Sequence, residues 1–134
     1  MRRIIAVIIL FSAVVACQSP KEKSRLHLEK GIEILYQSRF NDAIKEFELA
    51  IQFDKENFEA YHYKGAAFAN LRNEKEAIEC YKKAIEINPK AANTYYNLGL
   101  IYEQQGNKND ACICFLKAEE LGKPNMNDHT KWCK

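Results

Sequence analysis

Four side chains near the C-terminus have the chemistry of soft metal ligands or of disulfide partners. They form the pattern C-x-C followed by H-x-x-x-C, at Cys112, Cys114, His129 and Cys133. Thiolates and imidazoles suit zinc, and His129 and Cys133, four residues apart, can share one face of a helix. Cys112 and Cys114 are two residues apart, so on a helix their side chains point about 200° away from each other and cannot chelate one ion. We therefore expect no metal site, and we prefer a disulfide or buried thiols.

The other candidates for catalysis or metal binding lack partners. His27 and His62 lie in helical patterns with no second His or Cys at ligand spacing, so neither is expected to bind a metal. The carboxylates follow exposed-face patterns such as EKEAIEC, in which pairing with lysine four residues away is the usual role. Neither a Ser-His-Asp arrangement nor a glycine-rich phosphate loop is present. The sequence therefore predicts a protein that is not an enzyme, with no cofactor and no small-molecule substrate.

The N-terminus has the three parts of an export signal. Arg2 and Arg3 precede an apolar run, IIAVIILFSAVVA, which covers residues 4 to 16. At about 1.5 Å per residue this run is roughly 20 Å long, which is shorter than the roughly 30 Å that a membrane-spanning helix must cross. A basic start, an apolar middle and small residues at the end are typical of a secretory signal peptide. We predict that residues 1–16 are such a signal.

The residues VVAC, which end at Cys17, resemble the bacterial lipobox. The resemblance implies that the Cys17 thiol receives a diacylglycerol, that the signal is cleaved just before it, and that the new N-terminus is acylated. Two or three acyl chains, at about 0.8 kcal/mol per buried CH₂, hold a protein firmly where one chain would be marginal. The polar residues 18–23, QSPKEK, would then tether the domain to the lipidated cysteine. The alternative is an ordinary cleaved signal or a short N-terminal anchor, with Cys17 incidental.

This N-terminus predicts an exported protein that is lipid-anchored to a bacterial membrane. Neither Gln18 nor Ser19 is the aspartate that keeps lipoproteins of enteric bacteria in the inner membrane, so we expect the outer membrane, facing the periplasm. The chain has 20 Lys+Arg and 18 Asp+Glu, and loss of Arg2 and Arg3 with the signal leaves 18 of each. Because the remaining chain is neutral and has no basic blocks, it does not predict a nucleic-acid surface.

An offset of 34 residues superimposes three successive segments of the chain. Small and aromatic residues fall in columns: Gly31, Gly65 and Gly99; Ala43, Ala77 and Ala111; Ala50, Ala84 and Ala118; Phe47, Tyr81 and Phe115. A period of this length indicates stacked helical repeats. Apolar residues recur at helical spacing, and turn residues cluster at SRFND, RNEKE and GNKND, which divide each copy into two helices. The small residues let the two helices approach closely, and the aromatic residue fills the remaining space.

These columns resemble the tetratricopeptide repeat (TPR), whose signature has Gly or Ala at position 8, Ala at 20 and 27, an aromatic at 24 and Pro at 32. The third copy is closest to the signature, while position 32 holds proline only in the second copy, as Pro89. The resemblance implies an all-α fold, a right-handed α-solenoid of three helix-turn-helix repeats with a short C-terminal capping helix. The predicted segments are a signal at 1–16, lipidated Cys17 and tether at 17–23, repeats at 24–57, 58–91 and 92–125, and a cap at 126–134.

The repeat frame also ranks the disulfides. Cys80 and Cys114 share position 23 in successive repeats, near 10 Å apart by helix spacing and beyond the roughly 7 Å limit for a bridge. Cys112, at position 21, faces the next helix, and Cys133 in the cap runs back alongside it. An exported chain meets an oxidising compartment, so the preferred disulfide is Cys112–Cys133, with Cys114–Cys133 second. We also expect Trp132 to pack over the last helix pair; the alternative is that a cap this short frays, because such helices are marginal without tertiary contacts.

In the TPR family, positions 2, 5, 9, 12 and 13 line a concave groove that binds peptides or helices. The candidate partner-binding residues that match these positions are Leu28, Ile32, Leu35, Tyr36, His62, Asn70, Asn93, Tyr96, Leu100 and Gln104. Apolar members would receive apolar side chains of a partner, and the amides would bind its backbone. Leu28 and Ile32 could instead pack against the tether or a neighbouring protomer. They stand where relatives that clamp acidic chaperone tails have lysine and asparagine, so that activity is not implied.

These features together predict a membrane-anchored interaction scaffold of the bacterial cell envelope. It would bind a peptide or helix of another envelope protein in its groove, and tethering to the same membrane would raise the effective concentration of the partner. The alternative is an accessory or regulatory subunit, or a small-ligand carrier, for an envelope enzyme or transporter. In that case His62 and Tyr96 would line the ligand pocket.

Overall fold

The computed structural model describes residues 18–133, which form seven α-helices and no strand. The helices are α1 (Pro20–Tyr36), α2 (Phe40–Phe53), α3 (Phe58–Asn70), α4 (Glu74–Ile87), α5 (Ala92–Gln104), α6 (Lys108–Glu120) and α7 (Asn127–Thr130). None of the helices within these residues combines the length and the apolar character that crossing a membrane requires. The predicted signal peptide and Cys17 lie outside the described residues.

The six long helices form three antiparallel pairs that stack in chain order. Helix α1 packs on α2, α3 on α4 and α5 on α6, and successive pairs meet where α2 contacts α3 and α4 contacts α5. The α-solenoid of three helix pairs that the sequence predicts is therefore confirmed. Because α1, α3 and α5 are the first helices of their pairs, they lie side by side and form one face of the stack.

A glycine facing an aromatic ring sets the distance between the helices of each pair. A Cβ atom added at Gly65 would lie 2.8 Å from Cε1 of Tyr81, and one at Gly31 would lie 2.5 Å from Cε1 of Phe47. Real Cβ atoms essentially never approach a neighbour within 3.0 Å, so the ring uses the space that a side chain would need. The contact recurs once per repeat, as Gly31–Phe47, Gly65–Tyr81 and Gly99–Phe115.

The first helix begins before the first repeat of the predicted frame. Ser19 is its N-cap: the Ser19 hydroxyl accepts a hydrogen bond from the Glu22 amide, and the Glu22 carboxylate accepts one from the Ser19 amide. With Pro20 in the first turn, this capping box starts a helix directly. Residues 20–23, predicted as a tether, are therefore helical, and only Gln18 and Ser19 of the described chain precede the helix.

The C-terminal cap is one short helix, and its buried residues differ from the prediction. Met126 and Thr130 are buried, whereas Trp132 is 39% exposed. The expectation that Trp132 packs over the last helix pair is therefore wrong. The reason is that α7 ends at Thr130 and the next turn directs Cys133 towards α6, which leaves the adjacent Trp132 facing partly outwards.

We predict that Gly65→Ala destabilises the fold through its contact with the Tyr81 ring. The added methyl group clashes with the ring and should cost about 1–3 kcal/mol of unfolding free energy, against a gain of about 0.8–1 kcal/mol in helix propensity. Urea unfolding followed by circular dichroism measures the net effect. In a Tyr81→Leu background, which lacks the ring edge, the same change should cost less, because the close contact that remains is the one with the Cβ of Cys80 at 3.2 Å. An equal loss in both backgrounds would show that the ring is not the cause.

Candidate functional site

A cleft of about 510 Å³ opens between the second and third repeats, on the face formed by the first helices. Helix α3 contributes Ala66, Ala69 and Asn70 to it, and α5 contributes Asn97, Leu100 and Gln104. Arg72 and Glu74, from the turn after α3 and the start of α4, line it as well. The site thus belongs to two repeats and exists only when they stack.

The cleft combines a small apolar floor with amide side chains. Ala66 and Ala69 have little side chain to fill it, and Leu100 provides an apolar wall. The Asn70 amide group donates a hydrogen bond to the carbonyl of Ala66, at 2.9 Å, which holds this side chain against its own helix. Amides carry both donors and acceptors, the two groups that an extended peptide backbone requires of a binding surface.

Three of the ten predicted groove residues line this cleft: Asn70, Leu100 and Gln104. His62 and Asn93 lie in a different hollow, of about 300 Å³, near the N-terminal ends of α3 and α5. The predicted groove residues therefore do not all line one cavity within the described part of the chain. Asn97 and Arg72 line the cleft although the repeat frame did not select them, because side-chain exposure there depends on the neighbouring repeat.

The four groove residues predicted in the first repeat differ in their exposure. Leu28 is only 6% exposed and belongs to the core of its own repeat, so its prediction as a groove residue is wrong. It precedes Gly31 by three residues and therefore lies on the same helix face, towards α2. Ile32 and Leu35 are partly buried and pack against the same core. Tyr36, at the end of α1, is 81% exposed.

Tyr96 lies under the cap and is not in the cleft. Its hydroxyl oxygen is 3.4 Å from Nε2 of His129, and the two rings meet edge to face with centroids 5.4 Å apart. The Lys123 ammonium lies 4.5 Å from the centre of the Tyr96 ring. His62 is engaged elsewhere, so these contacts do not support a ligand pocket shared by His62 and Tyr96.

His62 has the environment of a structural residue. Its Nδ1 atom lies 2.9 Å from the hydroxyl of Thr94, which is itself buried, so the contact joins the second repeat to the third. The rings of Tyr63 and Tyr81 lie beside the imidazole, with centroids 5.1 and 5.7 Å away. Burial lowers the pKa of His62, because the charged imidazolium loses its hydration there.

Four cysteines of the described chain form one disulfide and leave two free thiols, of which Cys114 is buried and Cys80 partly buried. Cys112 and Cys133, the pair that the repeat frame prefers, form the disulfide, with Cα atoms 5.4 Å apart. Cys80 and Cys114 are free, and burial raises the pKa of each thiol to about 11. Among residues 18–133, no group of three or more His, Cys, Asp or Glu side chains is arranged to hold a metal ion.

Two family models match the second half of the chain. A family model described as "TPR repeat" matches residues 75–106, and one described as "Tetratricopeptide repeat" matches residues 92–121. No curated protein matches the chain.

Several solved structures share this fold. The TPR domain of Arabidopsis OM64 is 24% identical, with a TM-score of 0.80, over 85% of this chain and 96% of that one. A crystal structure of MamA is 27% identical, with a TM-score of 0.71, over 74% of this chain and 58% of that one. The Sgt2 TPR domain from Aspergillus fumigatus is 19% identical, with a TM-score of 0.77, over 85% of this chain and 78% of that one. Solenoids of this kind are interaction scaffolds whose concave surfaces bind other proteins.

We predict that burial of neutral His62 makes the fold less stable as the pH falls. Its folded-state pKa is below the unfolded value of about 6.5, so below that pH the unfolded chain binds more protons and stability decreases, by at most about 1.4 kcal/mol per pH unit. Urea unfolding between pH 7.5 and 5.5 should show a weaker pH dependence for His62→Gln than for the wild type. Thr94→Val leaves the imidazole buried and should retain the wild-type dependence. The same slope in wild type and His62→Gln would contradict the prediction.

Proposed function

We propose that this chain, whose helix pairs are tetratricopeptide repeats, is a membrane-tethered scaffold of the bacterial cell envelope that binds an extended segment of another envelope protein. The observation that carries the proposal is the cleft between the second and third repeats. It lies on the face of the stack where first helices adjoin, and α3 and α5 supply its two sides. An extended chain fits such a surface because it can reach both repeats at once.

The hollow arises from a change in side-chain size between repeats. Ala66 and Ala69 occupy the repeat positions that Ile32 and Leu35 hold in the first repeat. The larger residues pack against their own core, whereas the alanines leave open space opposite Leu100. This space accepts an apolar side chain of a bound segment, whose burial would contribute about 1.5–3 kcal/mol.

The polar residues of the cleft would hold the backbone of that segment. Asn70 lies on α3, while Asn97 and Gln104 lie on α5, so amide groups stand on both sides of the hollow. Arg72 and Glu74 contribute charges of opposite sign and so favour neither an acidic nor a basic segment overall. The class of ligand is therefore a peptide with an apolar anchor and ordinary backbone hydrogen bonding.

Lipidation of Cys17 would hold the first repeat close to the membrane. Helix α1 starts at Pro20, so only Gln18 and Ser19 separate it from Cys17. Two residues span at most about 7 Å, which gives the domain little freedom to leave the surface. A partner on the same membrane would meet the cleft at a raised effective concentration, so that modest affinity is sufficient.

We predict that filling the hollow abolishes partner capture. A photoreactive phenylalanine analogue at Gln104 should form a cross-linked product of one defined mass in cells, detected by immunoblotting and mass spectrometry. Ala69→Arg should remove this product, because the long side chain occupies the space for the anchor residue. The matched control is Ile113→Arg, at a residue that is 66% exposed on α6 and outside the cleft, and it should leave the product unchanged. Persistence of the cross-linked product in Ala69→Arg would rule out the cleft as the binding site of the partner.

We predict that Cys17→Ser abolishes lipidation of the protein. Cells labelled with radioactive palmitate should incorporate label into the wild type and not into this variant, which should move to the soluble fraction or retain its signal. Cys80→Ser serves as the control, because Cys80 is a partly buried thiol of α4 and should not affect labelling. Labelled, membrane-bound Cys17→Ser protein would refute the anchoring proposal without affecting the cleft.

A further inference from the structure

The cap, residues 126–133, covers part of the face formed by the first helices. His129 lies against both Tyr96 and Phe115, with ring centroids 5.4 and 4.7 Å away. Met126 packs in the same apolar cluster as Phe115, and Leu100 of the cleft packs against that cluster from the other side. The cap therefore closes the surface that would otherwise continue the cleft towards the C-terminal end.

The cap contains too little structure to hold itself in place. Its helix, α7, has four residues, and helices of this length do not form in water without tertiary contacts. Two buried side chains anchor it: Met126, and Thr130, whose hydroxyl lies 3.2 Å from a carboxylate oxygen of Glu119. Apart from the main chain that enters the cap from α6, the one covalent link between the cap and the stack within the described residues is the Cys112–Cys133 disulfide.

The disulfide holds the cap against α6. It joins α6 to the last turn of the cap and closes a loop with a sequence separation of 21. Closing such a loop removes chain entropy from the open state and thereby favours the closed one. Both cysteines are only partly buried, so a dithiol can reach the sulfur atoms, whereas burial raises the pKa of Cys114 and keeps it a thiol.

We propose that reduction of Cys112–Cys133 by a dithiol reductant releases the cap and uncovers the surface of Tyr96 and Phe115 next to the cleft. One thiolate of the reductant attacks a sulfur of the disulfide, and its second thiol resolves the mixed disulfide. The S–S bond of the protein breaks and one forms in the reductant. The reductant gives up two electrons and two protons, which leave Cys112 and Cys133 as thiols. The rest of the stack, which contains no other disulfide among its described residues, stays folded.

The opening of the cap can be measured without a partner. Amides of the cap are hydrogen-bonded in the closed form: His129 and Thr130 donate to the carbonyl of Met126, and Cys133 donates to that of Thr130. Hydrogen exchange of these amides should become at least tenfold faster after reduction, while amides of α1 and α2 keep their rates. Unchanged exchange in the cap, or equally faster exchange throughout the chain, would overturn local release.

Met126 provides a second readout in a variant that needs no reductant. In the double variant Cys112→Ser, Cys133→Ser, oxidation of Met126 by hydrogen peroxide should be at least tenfold faster than in the oxidised wild type, where this side chain is 3% exposed. The Cys80→Ser variant retains the Cys112–Cys133 disulfide, and its Met126 should be oxidised at the wild-type rate. Equal rates in the double variant and the wild type would overturn the proposal, and circular dichroism verifies that the helices remain.

The expected effect of cap release on partner binding rests on the proposed function, whereas the release of the cap itself does not. The cross-linked product formed at Gln104 should change in yield at least threefold between the wild type and the double variant. Opening without a change in yield would show that the cap does not control binding. Absence of any product in both proteins would refute the proposed function, while the exchange and oxidation rates would still decide whether the cap opens.

Discussion

The contact between a glycine and an aromatic ring is the constraint on which the rest of this structure depends. In each repeat the ring of the second helix lies where the first helix has no side chain, at a distance that leaves no room even for a methyl group. This contact fixes how closely the two helices approach. Because it recurs with the same period as the repeat, the three pairs have similar shapes and can stack with their first helices side by side.

The candidate site results from differences between repeats on this constant framework. Residues at the same repeat position have different surroundings: Leu28 is buried in its own repeat, His62 bonds to the next repeat, and Tyr96 lies beneath the cap. The exchange of large side chains for Ala66 and Ala69 opens the cleft. Packing within each pair thus supplies stability, and the variable positions facing the neighbouring repeat supply the surface for recognition.

The two ends of the stack are finished in different ways. At the N-terminal end a capping box at Ser19 starts α1 almost directly after the cysteine that we propose to be lipidated. At the C-terminal end a four-residue helix and a disulfide cover the last pair. The surroundings of the cysteines differ. Cys80 and Cys114 face inwards, and burial raises the pKa of each thiol, whereas Cys112 lies beside Cys133 and forms the disulfide with it.

The sequence by itself determined the fold, since a period of 34 residues with glycine, alanine and aromatic columns describes a contact made inside every repeat. It also contains the start of α1, because Ser19 and Glu22 have the spacing of a capping box, whereas the polar composition of residues 18–23 predicts a tether. Only the tertiary structure decided that Leu28 is buried, that Trp132 does not cover the last pair, and which side chains share the cleft. The physical reason is that a repeat frame specifies neighbours within a pair, whereas exposure depends on side-chain sizes in the next repeat and on chain ends where no next repeat follows.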